Sequence, residues 1–507
     1  MSAVAKNKLI IALSLAMFLA AVEGTIVTLA TPTIVKDLAG FDLISHVFSV
    51  YLLTGALASP VYGKLSDLYG RKRTLMVGIA VFLAGSALCG LAQGMGMLIA
   101  FRALQGIGAG AIYTVPMILV GDVFPLRERG KVQGSLSMVW GIAGLFGPFL
   151  GGLLIDLLSW HWIFFINIPF GILTLVILQT SLHEEARHER RHIDFPGIVA
   201  LTGAMLAFLA IFLFGETGGT LLTVRNALLL LSSLVLLFVF WRIERRSPEP
   251  LVPLDVLTRS SVFVNVISLF FMAALIGIDV YAPIYLQNIK GLTPLLAGLV
   301  LLPMSLSWML ASIPVGRFIV RFGGKPVLGV GTALALVGIV PLLFLTSSSP
   351  VPLLVALVFF LGIGFSVSMS TQMMIIQDSV GFEKRGSAVA VNSLVRNLGQ
   401  TVGISVFGAL FNLGIVRGFE AGGIVTYDLG NLYDLGSYQL GVTWDQVVVV
   451  LTDAVHVVFA VFAAVVALCL LLALVMPRPV LVSQPKGAPP LPEGPDGPRA
   501  AEAPEAQ

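Results

Sequence analysis

Three polar side chains lie inside apolar stretches of the sequence, where a charge is unfavourable. Glu23 is the only ionisable residue in the run 9–35, and Arg102 and Gln105 lie within a later apolar run. Counting from Lys8 at about 1.5 Å per helical residue places Glu23 about 22 Å along a helix, near the middle of a bilayer. A carboxyl group at that depth can gain and lose a proton, and its anion can hold a cation. We predict that Glu23 binds a proton or a cationic substrate, with Arg102 and Gln105 beside it.

Asp279 is a second carboxylate inside an apolar run, in the other half of the chain. Counting back from Lys290 places it about 16 Å below the nearer membrane surface. We predict a secondary role for it in proton or substrate binding. Structural alternatives exist for the first group: a Glu23 held permanently by hydrogen bonds, and an Arg102 that extends to the membrane interface.

The composition defines the class of protein in which these residues lie. Apolar residues make up 57% of the chain and charged residues 11%, which is far from the globular average. Apolar runs of about 20 residues, long enough to cross about 30 Å of hydrocarbon as helices, recur along the sequence. We predict an all-α membrane protein of fourteen transmembrane helices, at 9–35, 45–63, 74–92, 97–119, 132–155, 162–182, 197–214, 226–241, 261–286, 295–315, 327–346, 352–376, 387–411 and 447–475.

Basic residues are sorted onto alternate loops. Of the 30 Lys and Arg residues, only Lys36, Arg225, Lys290 and Arg417 fall on the loops predicted to face outward, while Arg102 and Arg396 lie within spans. The positive-inside bias therefore predicts that both termini are cytoplasmic and that the protein lies in the inner (cytoplasmic) cell membrane. The net charge of +3 gives no indication of nucleic-acid binding, and no disulfide or metal site is predicted.

Charged breaks divide the spans into groups of six, two and six. The predicted domains are an N-terminal six-helix bundle at 1–183, a cytoplasmic linker with two transmembrane helices at 184–258, a C-terminal six-helix bundle at 259–476 with an outside loop at 412–446, and a disordered cytoplasmic tail at 477–507. The tail is rich in Pro, Ala, Gly and Glu and has little to bury.

The two bundles read as diverged copies of one repeat. Gly63, Gly70 and Lys72 match Gly316, Gly323 and Lys325, and with a shift of three residues Gly106, Gly108, Arg129, Gly130, Gly147 and Gly152 match Gly362, Gly364, Arg385, Gly386, Gly403 and Gly408. Two similar halves that face each other enclose a cavity near the midplane, and rocking exposes it to alternate sides. This organisation predicts a secondary transporter.

Five segments carry a resemblance to a known family. They are GKLSDLYGRKRT at 63–74, RALQGIGAG at 102–110, GIAGLFGPFLGG at 141–152, VEGTIVTLATP at 22–32 and WHWIFFINIPFG at 160–171. Together they resemble motifs of the major facilitator superfamily, and within it the fourteen-span drug:proton antiporter branch. The resemblance implies a major facilitator fold, proton-coupled drug export, and a part for Arg102 in proton transfer.

One departure from the family motif and one from a symmetric repeat concern the candidate site. Glu23 stands where the first-span motif usually has Asp, and Val358 and Leu361 occupy the positions of the second half that correspond to Arg102 and Gln105. The charged groups are therefore concentrated in the N-terminal half.

The remaining candidate residues form three groups. A conformational latch is predicted at Gly63, Asp67, Gly70, Arg71, Lys72 and Arg73. A tightly packed seam that limits proton leak is predicted at Gly141, Gly144, Gly147, Pro148, Gly151 and Gly152. Adaptable pocket lining is predicted at Tyr281, Tyr285, Met304, Trp308 and Met373. Topogenic charge, small-residue packing and core or lipid-facing packing are the respective structural alternatives.

The expected function is export of lipophilic, cationic drugs or biocides by alternating access, driven by the proton gradient. Partners are expected to be the substrate, protons and the lipid bilayer, with no cofactor, no nucleic acid and a monomeric state. The main alternative keeps the machinery and changes the cargo to an amphipathic metabolite, lipid or peptide. A passive channel and a non-transporting sensor fit less well, and an enzyme would need a nucleophile or metal cluster that the sequence does not show.

Overall fold

The computed structural model describes residues 3–124, 126–181, 194–213, 223–247, 250, 252, 254–381, 384–424, 432 and 443–477. The predicted tail lies outside these ranges apart from Pro477. Within them the chain forms helices and connecting loops without a strand.

Fifteen α-helices are present in the described ranges. They are α1 (Ala3–Leu38), α2 (Ile44–Tyr69), α3 (Arg71–Cys89), α4 (Met95–Val123), α5 (Leu126–Leu157), α6 (Trp162–Phe165), α7 (Asn167–Ser181), α8 (Phe195–Leu213), α9 (Val224–Glu244), α10 (Arg259–Ile284), α11 (Pro294–Phe322), α12 (Gly324–Ile339), α13 (Val351–Asp378), α14 (Arg385–Ala421) and α15 (Trp444–Val475). A π-helical turn, Tyr285–Ile289, follows α10, and a 3₁₀ turn, Val340–Phe344, follows α12.

All fourteen predicted spans fall on helices, with the sixth divided between α6 and α7. Among the described residues, twelve helical segments are long and apolar enough to cross a membrane, and α5 and α8 contain the shorter apolar segments Ile142–Leu157 and Pro196–Ile211. The all-α membrane fold is confirmed. The count of fourteen crossings stays a prediction, as do the limits of the two bundles, the linker and the tail.

One predicted boundary is wrong. The loop expected at 412–446 begins within a helix, because α14 continues to Ala421. Phe419 in this extension is completely buried, and Gly418 lies against Val450 of α15. Packing against α15 therefore extends the helix beyond the apolar run that the sequence shows.

Corresponding glycines have equivalent conformations and packing contacts in the two bundles. Gly70 separates α2 from α3 with φ 95°, and Gly323 separates α11 from α12 with φ 86°, a conformation that strains a residue with a Cβ. A Cβ on Gly108 would lie 2.2 Å from the backbone nitrogen of Phe82, and one on Gly364 would lie equally close to a backbone nitrogen of α12. These matched contacts support the internal repeat.

Alternating glycines let α4 approach two neighbours at once. Gly106 and Gly110, one turn apart, face α2, where an added Cβ would lie 2.4 and 2.8 Å from backbone oxygens. Gly108 points to the other side, toward α3. This close packing brings Arg102 and Gln105, on the same helix, into the centre of the N-terminal bundle.

The two bundles meet toward one end of the molecule. We call the end with the α1–α2 loop the Gly40 end and the end with the α2–α3 loop the Gly70 end. Among the described residues, the hydrogen bonds between bundles run from Gln287 Nε2 to the Leu29 carbonyl (2.8 Å), Leu295 N to Asp156 Oδ2 (3.3 Å), Ser305 Oγ to the Gly144 carbonyl (2.5 Å) and Asn412 Nδ2 to the Asp42 carbonyl (2.8 Å). All four lie between the middle of the helices and the Gly40 end.

The linker helices lie against both bundles. Three α8 residues, Leu201, Met205 and Leu209, form an apolar cluster with Leu53 of α2 and with the partly buried Leu394 and Leu398 of α14. The hydroxyl of Ser233 in α9 donates to the Ala204 carbonyl of α8 at 2.9 Å. The α8 helix therefore packs against α2 of the first bundle and α14 of the second.

An exposed ion pair joins the linker to the second bundle. Lys384 Nζ lies 2.7 Å from Asp255 Oδ2, and both side chains are more than half exposed. The hydrogen bond from Lys384 holds the pKa of the Asp255 carboxyl below its usual value. Solvent screening makes this contact weak.

The glycine packing of α4 predicts that Gly108→Ala destabilises the fold, because the new methyl group meets backbone atoms that cannot move independently. Overpacking of this kind costs about 1–3 kcal/mol, so the thermal unfolding temperature in detergent should fall. The matched control is Gly316→Ala, where nothing lies within 4 Å of the added Cβ. Equal unfolding temperatures for the two variants would contradict the packing described here.

Candidate functional site

Glu23 and Arg102 form an ion pair in the interior of the N-terminal bundle. Arg102 Nη1 donates to Glu23 Oε1 at 2.7 Å and to Gln105 Oε1 at 2.8 Å. The two charged residues are each 1% exposed and Gln105 is fully buried. The predicted group is therefore in direct contact, with α1 supplying the acid and α4 supplying the base and the amide.

The other carboxylate oxygen is held from a different helix. Asn167 Nδ2 donates to Glu23 Oε2 at 2.5 Å and to Ser86 Oγ at 3.0 Å. The Ser86 hydroxyl in turn donates to the Phe164 carbonyl at 2.8 Å. Since Phe164 lies one residue before the end of α6 and Asn167 begins α7, the carboxylate is connected to the break between these two helices.

Arg102 has partners on its remaining faces. Its Nε donates to the Val47 carbonyl at 3.3 Å, and its guanidinium carbon lies 3.9 Å from the centre of the Tyr51 ring. The Tyr51 hydroxyl lies 3.2 Å from that of Tyr113. These contacts from α2 and α4 fix the guanidinium in place by hydrogen bonding and cation–π attraction.

This geometry decides between the structural alternatives for Arg102. The side chain does not extend to the membrane interface, since it is buried and paired. Glu23 is held in the same way. Both of its carboxylate oxygens accept hydrogen bonds within the bundle, so a bound cation has no access to them in this conformation. These contacts are also those of the structural alternative for Glu23, a carboxylate held by hydrogen bonds to neighbouring helices, so its role in proton or cation binding stays a prediction.

Sequence reasoning missed three members of this cluster, namely Asn167, Ser86 and Tyr51. Asn167 offered a signal, because an amide in the apolar run FFINIPF needs a buried hydrogen-bonding partner. Ser86 and Tyr51 offered none, because serine and tyrosine are common in membrane helices.

Asp279 lies in α10 and is partly buried. Among the described residues it has neither a hydrogen-bonding partner nor a cation within ion-pair distance. The structure therefore does not bring it into the Glu23 cluster. Its role in binding stays a prediction.

The predicted latch is partly described. Arg71 Nη1 donates to Ser66 Oγ at 2.6 Å, and Lys72 Nζ donates to the Gln179 carbonyl at 2.9 Å. Arg73 is exposed. Gly63 lies against Thr114 of α4 and Gly70 separates the two helices. The side chain of Asp67 lies outside the described residues, so the latch role stays a prediction.

The glycines of α5 face two different helices. Gly147 and Gly151 lie against Thr25 and Ile26 of α1, whereas Gly144 and Gly152 lie against Ser305 and Leu295 of α11. The motif therefore packs α5 against its own bundle and against the opposite one. Gly141 and Pro148 also lie in α5, and their surroundings are outside the described part. Control of proton leak by this seam stays a prediction.

The five predicted pocket residues have different surroundings. Tyr281 packs against Phe411, and Tyr285 donates to the Thr346 carbonyl at 2.7 Å; both are buried inside the C-terminal bundle. Met304 is 9% exposed, while Trp308 and Met373 are partly buried. A substrate pocket at these residues stays a prediction.

Comparison with solved structures identifies proteins with a similar fold. A bacterial homologue of the human lysosomal transporter Spinster, solved in an inward-facing, unoccupied conformation, superimposes with a TM-score of 0.67 at 16% identity, covering 94% of this chain and 98% of that one. An autoinhibited peptide transporter of the POT family gives a TM-score of 0.64 at 15% identity, with coverage of 94% and 98%.

Sequence comparison identifies the family. The Multidrug transporter protein MdtP of Bacillus subtilis is 32% identical over 80% of this chain and 75% of its own length. The Multidrug efflux pump SdrM of Staphylococcus aureus is 30% identical over 79% of this chain and 89% of its own length. The model of the Major Facilitator Superfamily matches residues 13–404. This multi-pass membrane chain belongs to the Major Facilitator Superfamily, as its motifs predict, and its relatives are multidrug transporters.

Proposed function

We propose that the protein is a proton-coupled antiporter that exports lipophilic, cationic drugs or biocides by alternating access. The proton gradient supplies the energy, and the working unit is a monomer that carries no cofactor. It moves its substrate without chemical change and so is not an enzyme. Both termini face the cytoplasm, which makes the Gly40 end extracellular.

The observation that carries this proposal is the buried ion pair of Glu23 and Arg102. A charged pair deep in a membrane protein is stable only if its partners satisfy it. Such a pair is therefore sensitive to any movement of those partners, and adding a proton to Glu23 removes one of its charges. The relatives named for multidrug transport support the choice of cargo.

Asn167 gives the cluster two stable protonation states. When Glu23 is ionised, the amide nitrogen donates to Oε2, as observed. When Oε2 carries a proton, that oxygen becomes a donor and needs an acceptor. Rotation of the Asn167 side-chain amide by half a turn would place its Oδ1 atom beside Glu23 Oε2 as that acceptor. The Glu23 Oε2 atom is then hydrogen-bonded to Asn167 in both protonation states.

The same rotation reaches the helix break. The Ser86 hydroxyl, which now accepts from Asn167 and donates to the Phe164 carbonyl, would turn to donate to the amide oxygen. The Phe164 carbonyl at the end of α6 would lose that bond. Proton binding at Glu23 is thereby coupled to the junction of α6 and α7.

The second part of the transport cycle is a change of conformation in which the contacts between the two bundles break and form again. They lie between the helix middles and the Gly40 end, so in the proposed cycle the described conformation is the one closed on the extracellular side. In the opposite conformation these contacts separate and the Gly70 end closes. We assign Asp279 a secondary role as a cation or proton site in the C-terminal bundle.

The first prediction concerns the proton itself. In weakly buffered detergent solution, addition of tetraphenylphosphonium to the wild-type protein should release protons that a pH dye detects. Glu23→Gln should abolish this release because the amide cannot ionise, whereas Glu420→Gln, at an exposed residue, should leave it unchanged. Undiminished release from the Glu23 variant would remove this residue from the mechanism, and loss in Asp279→Asn alone would transfer the role there.

The second prediction concerns Asn167. Replacing it with Ala removes a donor from the ionised carboxylate, so the proton binds more tightly and the pH midpoint of release rises. A hydrogen bond to a charged group contributes about 1.5–3 kcal/mol, which corresponds to roughly one to two pH units. Asn226→Ala, in α9 outside both bundles, is the control. A midpoint that does not move in Asn167→Ala would show that Asn167 is only a packing residue.

A further inference from the structure

The C-terminal bundle contains an arginine within a membrane helix that has no acidic partner. Arg396 is partly buried in α14, and its one described contact runs from Nη2 to Met369 Sδ at 3.9 Å. Arg102, by comparison, has a carboxylate, an amide and an aromatic ring around it. Among the described residues, no carboxylate lies within ion-pair distance of Arg396.

Asp279 is too far along the neighbouring helix to neutralise this charge. α10 and α14 run parallel, since Gly399 lies against Leu269 and Gly403 lies against Ala273. By this register Arg396 and Asp279 are separated by about 13 residues, or about 20 Å along the helix axis. Each is therefore an isolated charge in its part of the membrane.

A second polar group near Arg396 is also incompletely satisfied. Asn392, one turn earlier on α14, is 1% exposed. Its amide nitrogen donates to Asn265 Oδ1 at 2.9 Å and to Ser268 Oγ at 3.0 Å, but its Oδ1 has no partner among the described residues. This part of α14 thus presents an unpaired cation beside an unpaired acceptor.

Arg396 lies in the half of α14 nearer to the Gly70 end. It lies 11 residues into α14, about 16 Å from the start of the helix, on the Gly70 side of the contact between Gly408 and Ser45 that joins α14 to α2. Met369 on α13 contacts the guanidinium, and Trp308 on α11 stacks on Phe365, one turn before Met369 on the same helix.

We propose that Arg396 binds the anionic group, a carboxylate or phosphate, of an amphipathic cargo whose apolar body lies along Met369 and Trp308. An unpaired guanidinium inside a membrane protein is unfavourable, and a carboxylate or phosphate matches its planar pair of donors. The inference rests on the proposed transport function and widens its cargo: amphiphiles with an anionic group, zwitterions included, bind in addition to lipophilic cations.

Matched probes test this directly. One dansyl-labelled alkyl chain is prepared with a terminal carboxylate and a second with a terminal quaternary ammonium group, and their affinities are measured by fluorescence in neutral detergent without a proton gradient. Arg396→Gln should weaken binding of the carboxylate probe about ten- to hundredfold, the value of a charge-assisted hydrogen bond, and leave the ammonium probe unchanged. Arg417→Gln, at an exposed position of the same helix, should affect neither probe.

Arg396→Lys provides the test if the Gln variant does not fold. A lysine keeps the charge and loses the paired donors, so only the carboxylate probe should weaken, and by less than in the Gln variant. Equal loss of both probes, or unchanged binding of the carboxylate probe, would overturn the proposal. Export of the carboxylate probe from proteoliposomes by the wild type and not by Arg396→Gln would support cargo binding, whereas binding of that probe without export would assign the site to a resident lipid headgroup and overturn the cargo assignment. Export that does not depend on the proton gradient, with probe discrimination intact, would contradict the proposed function alone.

Discussion

The structure depends on one constraint: opposite charges inside a membrane must be satisfied by the protein, because water is not available to do so. Glu23 and Arg102 meet this requirement through two other helices: α7 supplies an amide, and α2 supplies a ring and a backbone carbonyl. Leaving either partner unpaired would cost about 3–5 kcal/mol. In the proposed mechanism, this requirement is what links the ionisation of Glu23 to movement of the helices that hold the pair.

The glycines make that constraint possible to satisfy. The side chains of the site can contact one another only if α2, α3 and α4 lie almost in backbone contact. Gly106, Gly108 and Gly110 allow this close approach. The second bundle keeps the corresponding packing at Gly362 and Gly364 but carries Val358 and Leu361, both buried, in place of Arg102 and Gln105. The repeat thus preserves a scaffold while only one copy retains the ionisable centre.

Much of the fold was predictable because membrane helices are long, apolar and punctuated by glycine and charge. The ion pair was predictable for a related reason: charges inside such runs are rare and seek each other. The hydrogen bonds of Asn167 and Ser86 were not predictable, because they depend on how α3, α6 and α7 meet. The extension of α14 to Ala421 was missed because its stabilising contacts come from α15, far along the chain.

The most direct test of the account is infrared difference spectroscopy of the carboxyl groups, recorded as the protein is moved between its two conformations by substrate and pH. The account predicts a band from a protonated carboxyl group that appears in one conformation, disappears in the other, and is absent from Glu23→Gln. A spectrum in which the Glu23 variant and the wild type show the same carboxyl changes would contradict it.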